Sequence, residues 1–222
     1  MALEGGLEIK SVADNFFETE EPYFDEQSLV CSFGSTISNF DGPISEELPN
    51  EVLTNGLVHL AQAAKDGWLL IGFDSDHDEE HLKSFYKKQA LFQLNIFDRM
   101  AAELPIEGDF DPKAFGYEPQ WIASSGQLAH MAVVSRDMSF KLGGTEIFLK
   151  KDQRLHIKNS YKYTAEFFEE CCNKAGLEVV KAWSDDSSAK IYLLKILPRQ
   201  FVLRPVSAPK TQRGLRTGLE AA

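Results

Sequence analysis

The chain has 222 residues, a net charge of −11, 43% hydrophobic residues and 16 phenylalanines, which suits one large folded domain or a domain carrying an insertion. The acidic balance argues against nucleic acid or an anionic membrane as partner, since both need a basic footprint. No apolar run approaches the length that spans a bilayer, and the first thirty residues hold no apolar h-region.

The three cysteines, Cys31, Cys171 and Cys172, fit neither a secreted disulfide framework nor a zinc spacing. These features together predict a cytoplasmic protein in a reducing setting. Beyond Pro198 the charge reverses: Arg199, Arg204, Lys210, Arg213 and Arg216 face only Glu220. A mixed Pro/Gly/Arg end of this kind predicts a disordered tail.

In chain order, Leu7 to Val12 alternates apolar and polar residues and reads as a strand that ends in the polar junction Ala13-Asp14-Asn15-Phe16. Leu29-Val30-Cys31-Ser32-Phe33 is a second strand, and it stops at Gly34-Ser35-Thr36-Ile37-Ser38-Asn39-Phe40. A buried strand feeding a small polar loop is where open α/β sheets hold their ligands. Gly34 lets backbone approach a ligand, and Ser35, Thr36 and Asn39 supply donors and acceptors.

Asn50 opens a helix with Val52, Leu53, Leu57, Leu60, Ala61 and Ala64 on its apolar face, and Trp68 to Phe73 follows as an unbroken apolar run. Strand, helix and apolar strand form a βαβ unit of a parallel sheet covered on both faces. A long helix is expected from about Leu82 to about Glu103. Between Tyr117 and Ser160, turn signals at Ser125-Gly126, Arg136-Asp137, Gly143-Gly144 and Lys151-Asp152 predict an antiparallel meander. Thr164 caps a helix over residues 165–175, and a closing hairpin spans residues 177–197. The predicted organisation is a core over 1–103, an antiparallel subdomain over 104–160, a return to the core over 161–197 and the tail over 198–222.

His77-Asp78-Glu79-Glu80-His81 satisfies the H-x-x-E-H pattern of inverted zinc peptidases. On a helix, His77 and His81 would share a face and Glu80 would serve as base. Acidic residues also suit a helix N-terminus without any metal, and no third ligand is evident. Asp74, Asp76 and Asp78 imitate an EF-hand, but Glu79 stands where that loop needs glycine. No Gly-x-Gly occurs, so neither a dinucleotide fingerprint nor a P-loop is present.

Asn159-Ser160-Tyr161-Lys162-Tyr163-Thr164 closely resembles a signature of the histidine-specific, S-adenosylmethionine-dependent methyltransferases, a family that includes ergothioneine-pathway and dimethylallyltryptophan N-methyltransferases. The loop from Gly34 to Phe40, with Ser38 in place of a glycine, resembles the family's Gly-Ser-Thr-Ile-Gly-Asn-Phe. Phe92-Gln93-Leu94-Asn95, Gly108-Asp109-Phe110-Asp111 and Val134-Ser135-Arg136-Asp137 have counterparts as well.

The resemblance implies an α/β fold: a partial Rossmann-like class I methyltransferase sheet with an inserted antiparallel β substrate-binding subdomain. It implies S-adenosylmethionine as cofactor, with Asn15 and Phe16 against its adenine and Gly34 and Ser35 also on the cofactor side. A small-molecule amino acid, histidine or tryptophan-like, would be held at its amino and carboxylate groups by Asn39 and Tyr86. Met131 and Ser160 would line the pocket for its side chain. No catalytic acid or base is implied, because methyl transfer from a sulfonium depends mainly on positioning.

Three departures from the family pattern carry expectations. The chain starts near the family's third strand, which predicts a truncated core, weak cofactor binding by this chain alone and an unpaired sheet edge that favours self-association. Lys158 stands where the family has glutamate. The helix after Tyr86 is shorter by about one turn. The alternative readings are a non-catalytic fragment or interaction module and, more remotely, the zinc peptidase through His77, Glu80 and His81.

Overall fold

A computed structural model describes residues 27–39, 44–64, 66–185 and 187–198. The predicted first strand, with Asn15 and Phe16, lies outside the described residues, and so does the basic tail from Arg199.

Strand β1 is Leu29–Ser32. It runs through Gly34 and Ser35 into a single 3-10 turn at Thr36–Ser38. Helix α1 is Asn50–Ala63 and strand β2 is Trp68–Asp74. Leu53, Leu57, Leu60, Ala61 and Ala64 are all buried, because spacings of three and four residues gather them on one helical stripe. β1 and β2 pair in parallel, with Leu29 opposite Trp68 and Ser32 opposite Ile71, so the predicted βαβ unit is present.

The single long helix is replaced by two, α2 at Glu79–Lys87 and α3 at Ala90–Glu103. The break falls at Lys88 and Gln89, where the Lys88 N–H bonds back to Ser84 and Gln89 leaves helical geometry. The sequence carries no helix breaker there. The reason is tertiary: α2 and α3 each pack against the same later strand, α2 burying Leu82 and α3 burying Gln93 and Phe97.

Beyond α3 come β3 (Ile106–Gly108), β4 (Phe115–Ile122), β5 (Gln127–Val134), β6 (Met138–Leu142), β7 (Thr145–Leu149) and β8 (Arg154–Tyr161). They form two three-stranded sheets, β4-β5-β8 and β3-β6-β7, instead of one continuous meander. Ser125-Gly126 and Gly143-Gly144 do close hairpins. Arg136-Asp137 and Lys151-Asp152 are instead corners at which the chain changes sheet. At the first corner the Arg136 guanidinium grips Asp109 at 2.6 and 2.7 Å. The two sheets enclose a core of Phe97, Phe115, Ala132, Val134, Met138 and Phe140, with the rings of Phe97 and Phe115 stacked at 3.8 Å.

Helix α4 is Ala165–Lys174, capped by Thr164, whose hydroxyl accepts the Phe167 N–H at 3.2 Å. Strands β9 (Leu177–Ser184) and β10 (Ala189–Ile196) form the closing hairpin. β10 inserts antiparallel between β2 and β9, which gives the sheet order β1-β2-β10-β9. Helices α1 and α4 cover the face bearing Leu69, Ile71, Phe73, Tyr192 and Leu194. Phe73 centres this core, 4.6 Å from Phe168 and 5.8 Å from Tyr192. The expectation of cover on both faces is not met at the β1 edge, where Leu29 and Phe33 remain 53% and 52% exposed. Cys171 and Cys172 are fully buried in the core under α4.

Candidate functional site

At the carboxyl end of β1 the backbone makes two consecutive left-handed residues, Gly34 at φ 73° and Ser35 at φ 60°. A Cβ on Gly34 would meet nothing within 4 Å. Glycine therefore suits the backbone conformation there and is not needed for room. This turn aims Ser35 at β2, where its Oγ accepts the Asp74 N–H at 3.1 Å.

From Ser35 a closed ring of contacts passes through seven residues. The Asp74 carboxylate pairs with Lys162, and the Lys162 ammonium lies 5.5 Å from the centre of the Tyr86 ring. The Tyr86 ring meets the edge of His130 at 5.0 Å and 82°. His130 Nε2 is 3.1 Å from Ser160 Oγ, and that hydroxyl donates to Asn39 Oδ1 at 2.9 Å. The Asn39 amide then donates from Nδ2 to the Ser35 carbonyl at 3.0 Å, closing the ring.

The fold explains how distant segments meet here. Asn39 follows the turn after β1, Asp74 ends β2, Tyr86 lies on α2, and His130 and Ser160 lie on adjacent strands of one sheet. Lys162 leaves β8 beside the Ser125-Gly126 hairpin, where its N–H donates to the Gly126 carbonyl at 2.7 Å. A Cβ at Gly126 would come within 2.4 Å of the Lys162 carbonyl, so only glycine permits this approach. The Tyr163 hydroxyl also donates to the Ile37 carbonyl at 3.1 Å, holding the β1 loop against the exit of β8.

The site is dry at its floor and open at its mouth. His130 is 0% exposed and Ser160 5%, whereas Asn39 is exposed and Tyr86 half-buried. Burial pushes the His130 imidazole down to about 3, and electrostatic interaction with Lys158, His156 and Lys162 acts in the same direction. At neutral pH this histidine is uncharged. Tyr117, whose hydroxyl is 2.7 Å from His130 Nδ1, is pushed well up by burial and stays protonated. Burial alone would raise the Asp74 carboxyl, but Lys162, the Ser188 hydroxyl and the Asp76 amide together outweigh it and hold it below the usual range.

Of the residues singled out in the sequence, the ring gathers Ser35, Asn39, Tyr86 and Ser160, with Gly34 adjoining. Met131 falls elsewhere. It follows His130 on β5 and therefore points to the opposite face, where it packs with Ile122 and Ala129. His77 and His81 do not share a helical face, because Asp78 is the cap of α2 and His77 precedes it. His77 stands against Trp121 at 5.5 Å, while His81 Nδ1 pairs with Asp76 at 2.5 Å.

Asp74, Tyr117, His130 and Lys162 were not singled out as site residues. A signal existed for two of them: His130 interrupts the apolar run Gln127-Leu-Ala-His-Met-Ala-Val-Val134, and Lys162 sits inside the signature stretch.

Residues 3–196 match the family described as histidine-specific methyltransferase, SAM-dependent. The chain belongs to that family. Its mixed α/β fold, with antiparallel sheets beside the β1-β2-β10-β9 sheet, agrees with the α/β class that the resemblance predicted. An uncharacterized protein of Sinorhizobium fredii is 37% identical over 194 residues, covering 86% of this chain and 63% of the relative. The 4-dimethylallyltryptophan N-methyltransferase of Trichophyton verrucosum is 26% identical over 182 residues, covering 78% of this chain and 52% of the relative. The chain thus spans between about half and two thirds of the length of these relatives. Among solved structures, an S-adenosylmethionine-dependent methyltransferase from Clostridium acetobutylicum aligns with 84% of this chain and 64% of its own, at 10% identity and a TM-score of 0.41.

The family's cofactor is S-adenosylmethionine, and the loop after β1 has the chemistry to meet a polar ligand. Ser38 is 2% exposed, yet its hydroxyl has no hydrogen-bond partner. A buried hydroxyl left unpaired costs about 1–3 kcal/mol. A polar ligand group at this loop would relieve that cost, so the residues present fit the cofactor. Among the described residues no helix is long and apolar enough to cross a membrane.

Proposed function

We propose that this chain carries the substrate half of an S-adenosylmethionine-dependent N-methyltransferase acting on the amino group of an amino acid, histidine or tryptophan-like. The observation that carries the reading is the convergence of Asn39, Tyr86 and Ser160 at one end of the sheet, on elements 121 residues apart in the chain. Further support comes from the Trichophyton relative, whose name specifies an N-methyltransferase of a tryptophan derivative.

The cofactor, when bound, supplies an electrophilic methyl group on a sulfonium. The residues of this chain bind and orient the acceptor. Asn39, open to solvent, and the Tyr86 phenol hold the amino and carboxylate groups, while Ser160 meets the side chain. Amide, phenol and hydroxyl carry no net charge, so they align a neutral amine without offering a competing cation or base. The buried His130 beneath them is likewise neutral and too weak a base to take the amine's proton, which therefore passes to solvent. Gly34, Ser35 and the unpaired Ser38 hydroxyl face the cofactor in this reading, as do Asn15 and Phe16.

The test is calorimetric titration of the 222-residue protein with S-adenosylmethionine and with histidine and tryptophan, followed by a methyl-transfer assay. Support would be saturable amino-acid binding that is lost in an Asn39→Ala/Tyr86→Phe double variant. Absence of binding by every amino acid in the presence of the cofactor would overturn the reading.

A further inference from the structure

Every hydrogen bond along the dry side of the site runs in one direction. Asn39 Oδ1 takes the one Ser160 hydroxyl proton, so Ser160 Oγ can only accept from His130, and Nδ1 of the neutral ring is left to accept from the Tyr117 hydroxyl at 2.7 Å. The neutral ring must then carry its single proton on Nε2, which donates to Ser160 Oγ at 3.1 Å. The Ser160 hydroxyl passes its own proton on to Asn39 Oδ1 at 2.9 Å. The Asn39 amide is not free to flip, because its Nδ2 is committed to the Ser35 carbonyl at 3.0 Å. The tautomer of one imidazole thereby sets the polarity of each group between Tyr117 and the β1 loop. The same ring presents its edge to Tyr86 at 5.0 Å.

We infer that His130 is a positioning residue for the substrate site: a neutral, Nε2-protonated imidazole that fixes Ser160 and Asn39 by hydrogen bonds and Tyr86 by ring contact. This rests on reading those three residues as the amino-acid site. His130 touches Ser160 and Tyr86 directly and reaches Asn39 through Ser160, yet at 0% exposure it is sealed from solvent itself. An apolar side chain of similar size would fill the space but leave the Tyr117 and Ser160 hydroxyls without direction. Ser160 could then rotate, and the Asn39 carbonyl would lose the Ser160 donor. The groups facing the imidazole are Lys158 from the neighbouring strand, Lys162, His156, Tyr117 and Tyr86. None is a carboxylate that would favour the imidazolium.

The experiment uses the full chain, labelled with 15N at histidine and asparagine. In the wild type, the His130 ring should give the Nε2–H tautomer signature and hold it from about pH 8 to about pH 5, where an ordinary histidine titrates. In His130→Phe, the Asn39 side-chain amide signals should move, and affinity for the best-binding amino acid should fall about tenfold, the worth of one such hydrogen bond. His130→Gln keeps a donor and an acceptor and should bring both readouts back, with affinity within about threefold of wild type.

The inference is overturned if His130 titrates near an ordinary value, if it carries its proton on Nδ1, or if a folded His130→Phe keeps the wild-type Asn39 signals. If the wild type binds no amino acid at all, the functional reading falls. The tautomer and the Asn39 signals then still decide the role of His130.

Discussion

Ser160 Oγ donates to Asn39 Oδ1 across 2.9 Å, joining two segments that lie 121 residues apart in the chain. The serine also accepts from the buried His130 Nε2 at 3.1 Å, the one acceptor that atom has among the described residues. Replacing it with alanine strands a buried N–H and removes a partner from Asn39. Ser160→Ala should therefore cost about 1–3 kcal/mol, read as a lower urea midpoint at unchanged slope. A midpoint equal to wild type would show that the hydroxyl is not holding these groups.

Acid should weaken the fold earlier than its carboxylates alone would dictate. The His130 imidazole is held down to about 3, while in the unfolded chain it takes a proton near 6.5. Below that value the unfolded state binds the extra proton, so stability is full above about 6.5 and falls with decreasing pH by about 1.4 kcal/mol per unit. Asp74, also held low, adds its loss only below about 3.9. Urea unfolding at several pH values between these limits should show the slope in wild type and a shallower one in His130→Phe. Equal slopes would remove His130 as the cause.

Asp74 and Lys162 make an asymmetric pair: the lysine is 5% exposed at its side chain and the aspartate 35%. Asp74→Asn leaves a buried ammonium with its charge uncompensated, for a cost of about 3 kcal/mol. Lys162→Met frees an aspartate that water can reach, and should cost less. The double variant Asp74→Asn/Lys162→Met should be more stable than Asp74→Asn alone. Thermal unfolding of the three proteins checks the order, and additive losses would deny the coupling.

Lys158 stands directly opposite His130 on the neighbouring strand, with its ammonium over the Phe92 ring at 5.2 Å. No carboxylate pairs with it among the described residues. A fixed cation on the same face as Ser160 disfavours a positively charged substrate side chain. Lys158→Glu should raise the affinity for histidine relative to tryptophan by about tenfold near pH 6, an electrostatic change of about 1.4 kcal/mol. An unchanged ratio in competition binding would place Lys158 outside the reach of the substrate.

The strands, α1 and the caps of the fold were legible because their signals are local. Period and punctuation located β1, β2, the Thr164 cap and the Gly143-Gly144 hairpin. Asn39, Tyr86 and Ser160 were singled out through family resemblance and not through chemistry, since a lone Asn, Tyr and Ser lie in ordinary loop, helix and strand contexts. What stayed hidden depends on long-range geometry. β8 carries an irregularity where His130 pairs with Lys158 but Met131 pairs with His156, so Ile157 has no opposite number. Across it, Leu155 and Ile157 pack into one core while Lys158 and Ser160 join the site on the same sheet face. An alternating reading assigns odd and even residues to opposite faces and cannot produce this. Met131, by contrast, follows ordinary alternation and packs with Ile122 and Ala129. Its neighbour His130 takes the face toward α2, and adjacent strand residues cannot share one.

The 121-residue interval between Asn39 and Ser160 also sets an order of events during synthesis. At roughly 5–20 residues per second, the loop after β1 leaves the ribosome roughly 6–24 s before the strand that gives it its partner. Through that time β1, α1 and β2 have local structure to form, while the Ile37 carbonyl and the Asn39 Oδ1 have only water. The floor of the site is therefore a late product of the chain, completed when Ser160, Lys162 and Tyr163 arrive together within four residues. A stall or a frameshift ahead of Ser160 would release a polypeptide that has the β1 loop but no floor to the site.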